Sequence, residues 1–184
     1  MEELDFPGLL RTLHTAGKLK TLRRTGWVER GIPDPESVAD HSFRVILMAL
    51  LLAPPELSRQ TIVEMAVLHD LAEALVGDIT PQSPAYAEKP EKELRALKRL
   101  LKPFQDKKRL LDLWTEFESG QSPEARFVRE LDRLDAALQS VEYQEEFPDM
   151  PDLQVFLSNA EQEVNHPLLK RILAELKEGN QPVV

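Results

Sequence analysis

The sequence predicts a single all-α domain, and three observations lead there. Apolar residues recur at helical spacing along most of the chain, with no clear strand-like alternation. Proline, glycine and capping residues punctuate that pattern at intervals of ten to twenty-odd residues. A length of 184 residues with 42% apolar and 30% charged side chains fits one sizeable core, with no repeat, low-complexity tract or linker to divide it.

The elements follow in order. Residues 4–20 read as a first helix with Leu9, Leu10, Leu13 and Leu19 toward the core. A loop punctuated by Gly26, Gly31, Pro33 and Pro35 comes next. A second helix starts near Ser37, carries His41, and is stopped after Ala53 by Pro54 and Pro55. Ser58 caps a third, expected over residues 59–76 with Gly77 as terminator. The proline-containing segment GDITPQSPAYAEKP is expected to cross the surface, followed by amphipathic helices over 91–101 and 106–118. Ser122, Pro123 and Glu124 form a strong start signal for a helix reaching Glu146. Pro148 and Pro151 break it, and shorter helices over 153–163 and 167–178 close the chain.

Composition excludes several functions. Lysine and arginine number 23 against 32 acids, a net charge of −9, which repels a phosphate backbone at long range and disfavours extended nucleic acid as a partner. A small phosphorylated ligand in a locally basic, metal-containing pocket stays compatible with that charge. There is no cysteine, so any metal takes nitrogen and oxygen ligands. The longest apolar run, VILMALLLA, is too short to span a bilayer, and MEELDFPGLL carries acids where a signal peptide would be basic. The expectation is a cytoplasmic protein without a membrane partner.

Chemistry concentrates in VEMAVLHDLAEALVGDITP, the most apolar stretch of the chain. Burying His69, Asp70 and Glu73 within one turn of an apolar helix is costly unless they pair or bind a metal. His69 and Glu73 share a helix face, while Asp70 lies roughly 100° around the axis. His41 in SVADHSFRV and Asp132 in FVRELDRLDAAL offer further candidate ligands from other helices. Two imidazoles and two carboxylates suit an open site for Mn²⁺, Co²⁺, Fe²⁺ or Ni²⁺ better than a closed structural Zn²⁺ site. A salt-bridge network would also account for Asp70 and Glu73, and a hydrogen-bonded core histidine for His69.

The order SVADHSFRV, LHDLAEALVGDITP, FVRELDRLDAAL resembles the HD-domain metal phosphohydrolases. LKTLRRTGWVERGIPDPESVADHSFRV with HDLAEALVGDITP is similar to the 5′-deoxynucleotidase branch of that superfamily, and the likeness runs from about residue 19 to 165. The resemblance implies an HD-type helical bundle, a single domain over 1–184, a homodimer, one divalent transition metal (Co, Mn, or Fe, Ni or Zn) and a nucleotide substrate. It implies His41, His69, Asp70 and Asp132 as metal ligands and Glu73 as the acid that assists the attacking water. It implies Arg24 as the phosphate-holding arginine and Asp78 as a substrate-orienting aspartate. Trp27 departs from the spacing of bacterial members, in which tryptophan directly follows the arginine; here Thr25 and Gly26 intervene. Two readings of Trp27 stand together, a wall of the substrate pocket that helps reject ribonucleotides and a hydrophobic plug.

Other residues carry plainer readings. Asp135 lies three residues beyond Asp132 on nearly the same face and competes with it for the ligand role; the preferred reading is an acid behind the ligand or at the surface. Glu130 reads as a solvated charge, His14 as a helix-face residue and His166 as the entry to the last helix. Rival functions keep the same ligands: an HD phosphohydrolase for a triphosphate, a cyclic nucleotide or an alarmone, or a non-catalytic metal- or nucleotide-binding regulatory module.

Overall fold

The computed structural model describes residues 5–150 and 153–179. Its helices are α1 (Phe6–Ala16), α2 (Thr25–Val28), α3 (Val38–Leu52), α4 (Arg59–Leu68), α5 (Glu73–Val76), α6 (Lys89–Leu101), α7 (Lys107–Ser119), α8 (Pro123–Glu146), α9 (Gln154–Glu163) and α10 (Pro167–Lys177). Short 3-10 turns cover Gly17–Lys20 and Tyr86–Glu88. Among the described residues there is no strand beyond one isolated antiparallel bridge between Arg23 and Ser37. Among the described residues no helix is long and apolar enough to cross a membrane.

α8 is the axis of the fold. Ser122 caps it by accepting from the Ala125 N–H at 3.1 Å, and Pro123 sets its first turn. Phe127, Val128, Leu131, Leu134 and Ala137 repeat at helical spacing along its buried face. They pack against Val45, Met48 and Ala49 of α3, Ile62, Met65 and Ala66 of α4, Leu157 and Ala160 of α9, and Leu169 and Leu173 of α10. A second cluster joins Leu68 and Ala72 to Leu97 and Leu101 of α6 and Trp114 of α7. α3 opens with a reciprocal cap: Ser37 Oγ accepts from the Asp40 N–H, and the Asp40 carboxylate accepts from the Ser37 N–H at 2.9 Å. That cap fixes the register of His41, which follows one residue later.

Four expectations are corrected. The third helix does not run unbroken over 59–76; α4 ends at Leu68, and 69–72 form a tight turn before α5. There the Leu71 N–H reaches the Leu68 carbonyl and the Glu73 N–H the Asp70 carbonyl, while the His69 imidazole takes the carbonyl of Ala66. A side chain has captured an acceptor that a continuing helix would have used. The first helix becomes 3-10 after Ala16, and Leu10 and Leu13 face outward, 57% and 64% exposed. Its inward face is small and polar, Gly8 and Thr12, with Thr12 Oγ1 donating to the Leu100 carbonyl. The beginning of that expected helix at residue 4 and the breaker Pro151 lie outside the described residues. α6 starts two residues earlier than expected, at Lys89. Glu130 is not a free surface charge: its carboxylate accepts from the N–H groups of Asn165 and His166, where α10 begins.

Candidate metal centre

Three elements converge on one point. α3 supplies His41, the turn after α4 supplies His69 and Asp70, and α8 supplies Asp132. His41 Nε2 and His69 Nε2 stand 3.3 Å apart. Asp70 Oδ2 lies 3.1 Å from His69 Nε2 and 3.5 Å from His41 Nε2. Asp132 Oδ1 approaches His41 Nε2 to 3.3 Å from the α8 side. The donor atoms of His41, His69 and Asp70 all fall within 4.8 Å of one another.

The other ring nitrogens are occupied. His41 Nδ1 lies 2.6 Å from Asp135 Oδ2, and His69 Nδ1 lies 2.7 Å from the Ala66 carbonyl oxygen. Both partners are acceptors, so the hydrogen-bond network places a proton on each Nδ1 and turns both Nε2 atoms toward the centre. Asp135 is itself anchored, its Oδ1 accepting from Arg44 Nε at 2.5 Å, and Arg44 extends to Glu142 and Gln139. The acid three residues past Asp132 therefore stands behind His41 as its orienting partner.

Asp70 Oδ2 is buried and has no hydrogen-bond partner among the described residues. A buried carboxylate oxygen without a hydrogen bond, set between two imidazole Nε2 atoms, is costly without a cation. Two nitrogen and two carboxylate donors, with oriented imidazoles, fit a divalent ion with open positions. The electrostatics agree that the point demands positive charge. Burial and the Arg24 guanidinium act to lower the His41 pKa, yet Asp132 and Asp135 outweigh them and push it up to about 10. Burial would raise the Asp70 carboxyl, but His69, His41 and Arg24 hold it well below the usual range. Asp132 is likewise held low against burial, chiefly by His41. A second grouping of Glu36, His41 and Asp135 offers three donors, but it needs the His41 nitrogen already committed to Asp135.

The remaining expected residues line one cleft of about 860 Å³ beside this centre. Arg24, at the start of α2, points its guanidinium at Asp70, Asp132 and Glu36, at 3.8, 4.0 and 4.0 Å. Asp78 pins the same turn: its Oδ2 accepts from the Thr25 N–H at 2.7 Å, and its carbonyl from Thr25 Oγ1 at 2.8 Å. Glu73, at the first position of α5, is buried with Oε1 on Lys89 Nζ at 3.3 Å and Oε2 without a hydrogen-bond partner among the described residues. Burial, with Asp70 and Asp78 nearby, pushes its carboxyl well above the ordinary range, against Lys89 and Arg24. Trp27 is 2% exposed, packed edge-on to Tyr143 and 4.1 Å from the Phe156 ring, with Nε1–H donating to Glu36. It borders the cleft, yet most of its ring is core.

Sequence reasoning missed Glu36, Arg44 and Lys89. Arg44 had a signal, since three residues after His41 it must share that helix face. Glu36 and Lys89 had none, because a charge beside proline in a loop reads as solvated.

Comparison with known proteins agrees with the fold. The HD domain family matches residues 16–174. The mouse (Mus musculus) protein 5′-deoxynucleotidase HDDC2 is 38% identical over 174 residues, covering 92% of this chain and 87% of its own. The fission yeast (Schizosaccharomyces pombe) 5′-deoxynucleotidase hdd1 is 36% identical over 165 residues, covering 86% and 83%. A conserved hypothetical protein from Pyrococcus furiosus superposes with a TM-score of 0.78 at 32% identity, over 92% of this chain and 99% of that one.

Proposed function

The chain belongs to the HD domain family, and on that footing we propose that it is a metal-dependent 5′-deoxynucleotidase, converting deoxyribonucleoside 5′-monophosphates to deoxynucleoside and phosphate. The observation that carries the chemistry is the unpartnered Asp70 Oδ2 facing two imidazole nitrogens whose far sides are tied down. His41, His69, Asp70 and Asp132 would hold one divalent cation. When bound, such an ion supplies positive charge to a phosphoryl oxygen and acidifies a water.

The chain's own residues supply the rest. Arg24 presents a planar, permanently charged group to the phosphate and offsets charge that grows in the transition state. Glu73 orients the attacking water through Oε2 and accepts its proton. Asp78 holds the turn after Arg24 and so fixes where the phosphate sits. The cleft volume is of the size that encloses a mononucleotide. Rejection of ribonucleotides is assigned to the wall that Trp27 borders, where a 2′-hydroxyl would be buried without a partner.

A homodimer is part of the same reading. Phe43, Leu47, Leu50 and Leu51 repeat along one face of α3 and are all exposed, a contiguous apolar row of the kind that subunit contacts cover.

Phosphate release from dAMP and AMP, side by side, tests the proposal, using metal-stripped protein resupplied with Co²⁺, Mn²⁺, Mg²⁺ or Zn²⁺. The H69A/D70A protein is the blank. Metal-dependent release from dAMP but hardly from AMP is expected. Equal release from both would remove the sugar selectivity, and none from either would overturn the reaction.

A further inference from the structure

Lys89 opens α6, and a cation is ill placed there, since the first turn of a helix favours negative charge. Local helix chemistry therefore does not explain it. Its surroundings do. Nζ lies 3.3 Å from Glu73 Oε1 and 3.5 Å from Glu93 Oε1, one turn further along α6. The two carboxylate side chains are only 2% and 5% exposed, and Lys89 itself borders the cleft. The ammonium thus bridges a buried acid at the reacting edge to a buried acid behind it. The consequence falls on Glu73. Of its two oxygens, Oε1 is engaged by Lys89 and Oε2 is buried without a hydrogen-bond partner among the described residues.

We propose that Lys89, braced by Glu93, is a positioning residue that holds Glu73 by Oε1 so that Oε2 faces the attacking water. This rests on the phosphomonoesterase reading of the centre. The brace explains why Glu93 is buried on the inner side of an otherwise strongly charged, amphipathic helix. It also gives the four-residue α5, with no side-chain cap of its own, a fixed orientation for its first side chain.

The test compares wild type, K89M, K89R and E93Q for kcat, KM, bound metal by elemental analysis, and affinity for inorganic phosphate. A misdirected base costs on the order of 10²-fold in turnover. K89M is therefore expected to lose about 10²-fold in kcat, with KM, metal content and phosphate affinity unchanged. K89R should recover most of that loss, because a guanidinium reaches both acids. E93Q, which leaves the lysine unbraced, should lose less than K89M and in kcat alone. A rise in KM or weaker phosphate binding with kcat intact would overturn the proposal and make Lys89 a substrate contact. K89R no better than K89M would overturn it too. Should K89M fail to fold, E93Q decides, and unchanged kcat in E93Q refutes the brace. A silent wild type would instead indict the phosphomonoesterase reading, while an active wild type matched by an equally fast K89M indicts only the role of Lys89.

Discussion

Loading the centre with a divalent cation must displace a proton from His41. In the metal-free protein that imidazole is pushed up to about 10, because Asp132 and Asp135 overcome burial and the Arg24 charge. Its ordinary value is 6.5. A folded value raised above the unfolded one stabilises the metal-free protein fully below pH 6.5, and that contribution is lost as pH rises through 10. The ceiling is about 5 kcal/mol at roughly 1.4 kcal/mol per unit. Metal binding runs the other way, since Nε2 must be free to bind. Affinity should rise about tenfold for each pH unit between 6.5 and 8.5, with about one proton released per ion. Calorimetric titration of Mn²⁺ into stripped protein, in two buffers of different protonation enthalpy, measures both quantities. D135N should shrink the proton release and weaken metal binding by about 10- to 100-fold, because it removes the acid behind His41. Buffer-independent enthalpies together with a flat Kd across that range would refute the ligand assignment of His41.

Four further outcomes are expected. E73Q should keep its metal and lose about 10²- to 10⁴-fold in kcat; full turnover with metal bound would remove Glu73 from the reaction. D78A should lower stability by about 1 to 3 kcal/mol in urea unfolding, since it strips a charged acceptor from the Thr25 N–H, and should raise KM; an unchanged KM would separate Asp78 from the phosphate site. R24K should weaken competitive inhibition by inorganic phosphate while metal content holds, because an ammonium cannot match a bidentate fork; equal inhibition would place the phosphate elsewhere. F43D/L51D should halve the mass seen in sedimentation velocity if the α3 face joins two copies; the same mass in both proteins would exclude that face.

The legible parts of the fold were those written in local chemistry. Ser37, Ser58, Ser122 and the prolines at 54, 55, 123 and 167 fix helix ends through hydrogen bonds and backbone angles that neighbours in sequence dictate. The break after Leu68 was not legible, because it depends on His69 turning back onto the Ala66 carbonyl. In sequence that imidazole reads only as a polar residue on an apolar helix. α1 shows the limit of periodicity. A stripe of leucines says that a helix has two faces, but Gly8 faces inward where a Cβ would collide with Asp5 and Pro103, and Thr12 where its hydroxyl reaches the Leu100 carbonyl. The convergence of His41, His69, Asp70 and Asp132 was legible from residue type and resemblance. Glu93, by contrast, looks like any charge on an amphipathic helix until Lys89 and Glu73 are placed around it.

The cations of the centre argue for a function beyond holding the fold. Arg44 is committed, with Asp135, Glu142 and Gln139 all within 2.8 Å. Arg24 is not. It is surrounded by three acids, yet none of those contacts is shorter than 3.8 Å. Asp70 and Asp132, together with Asp78 and Glu73, keep its charge in place against burial. A guanidinium serving only stability would close on one carboxylate with two parallel bonds, as that geometry is the stronger one. Here it stands at arm's length from Asp70 and Asp132, and Asp78 holds its turn from behind. Asp70 Oδ2 meanwhile has no donor from any of these cations. The centre therefore keeps two demands open side by side, a positive charge among two imidazoles and two carboxylates and an anion for the arginine above them. A divalent ion and a phosphate meet both demands together, which a salt-bridge network closed on itself would not.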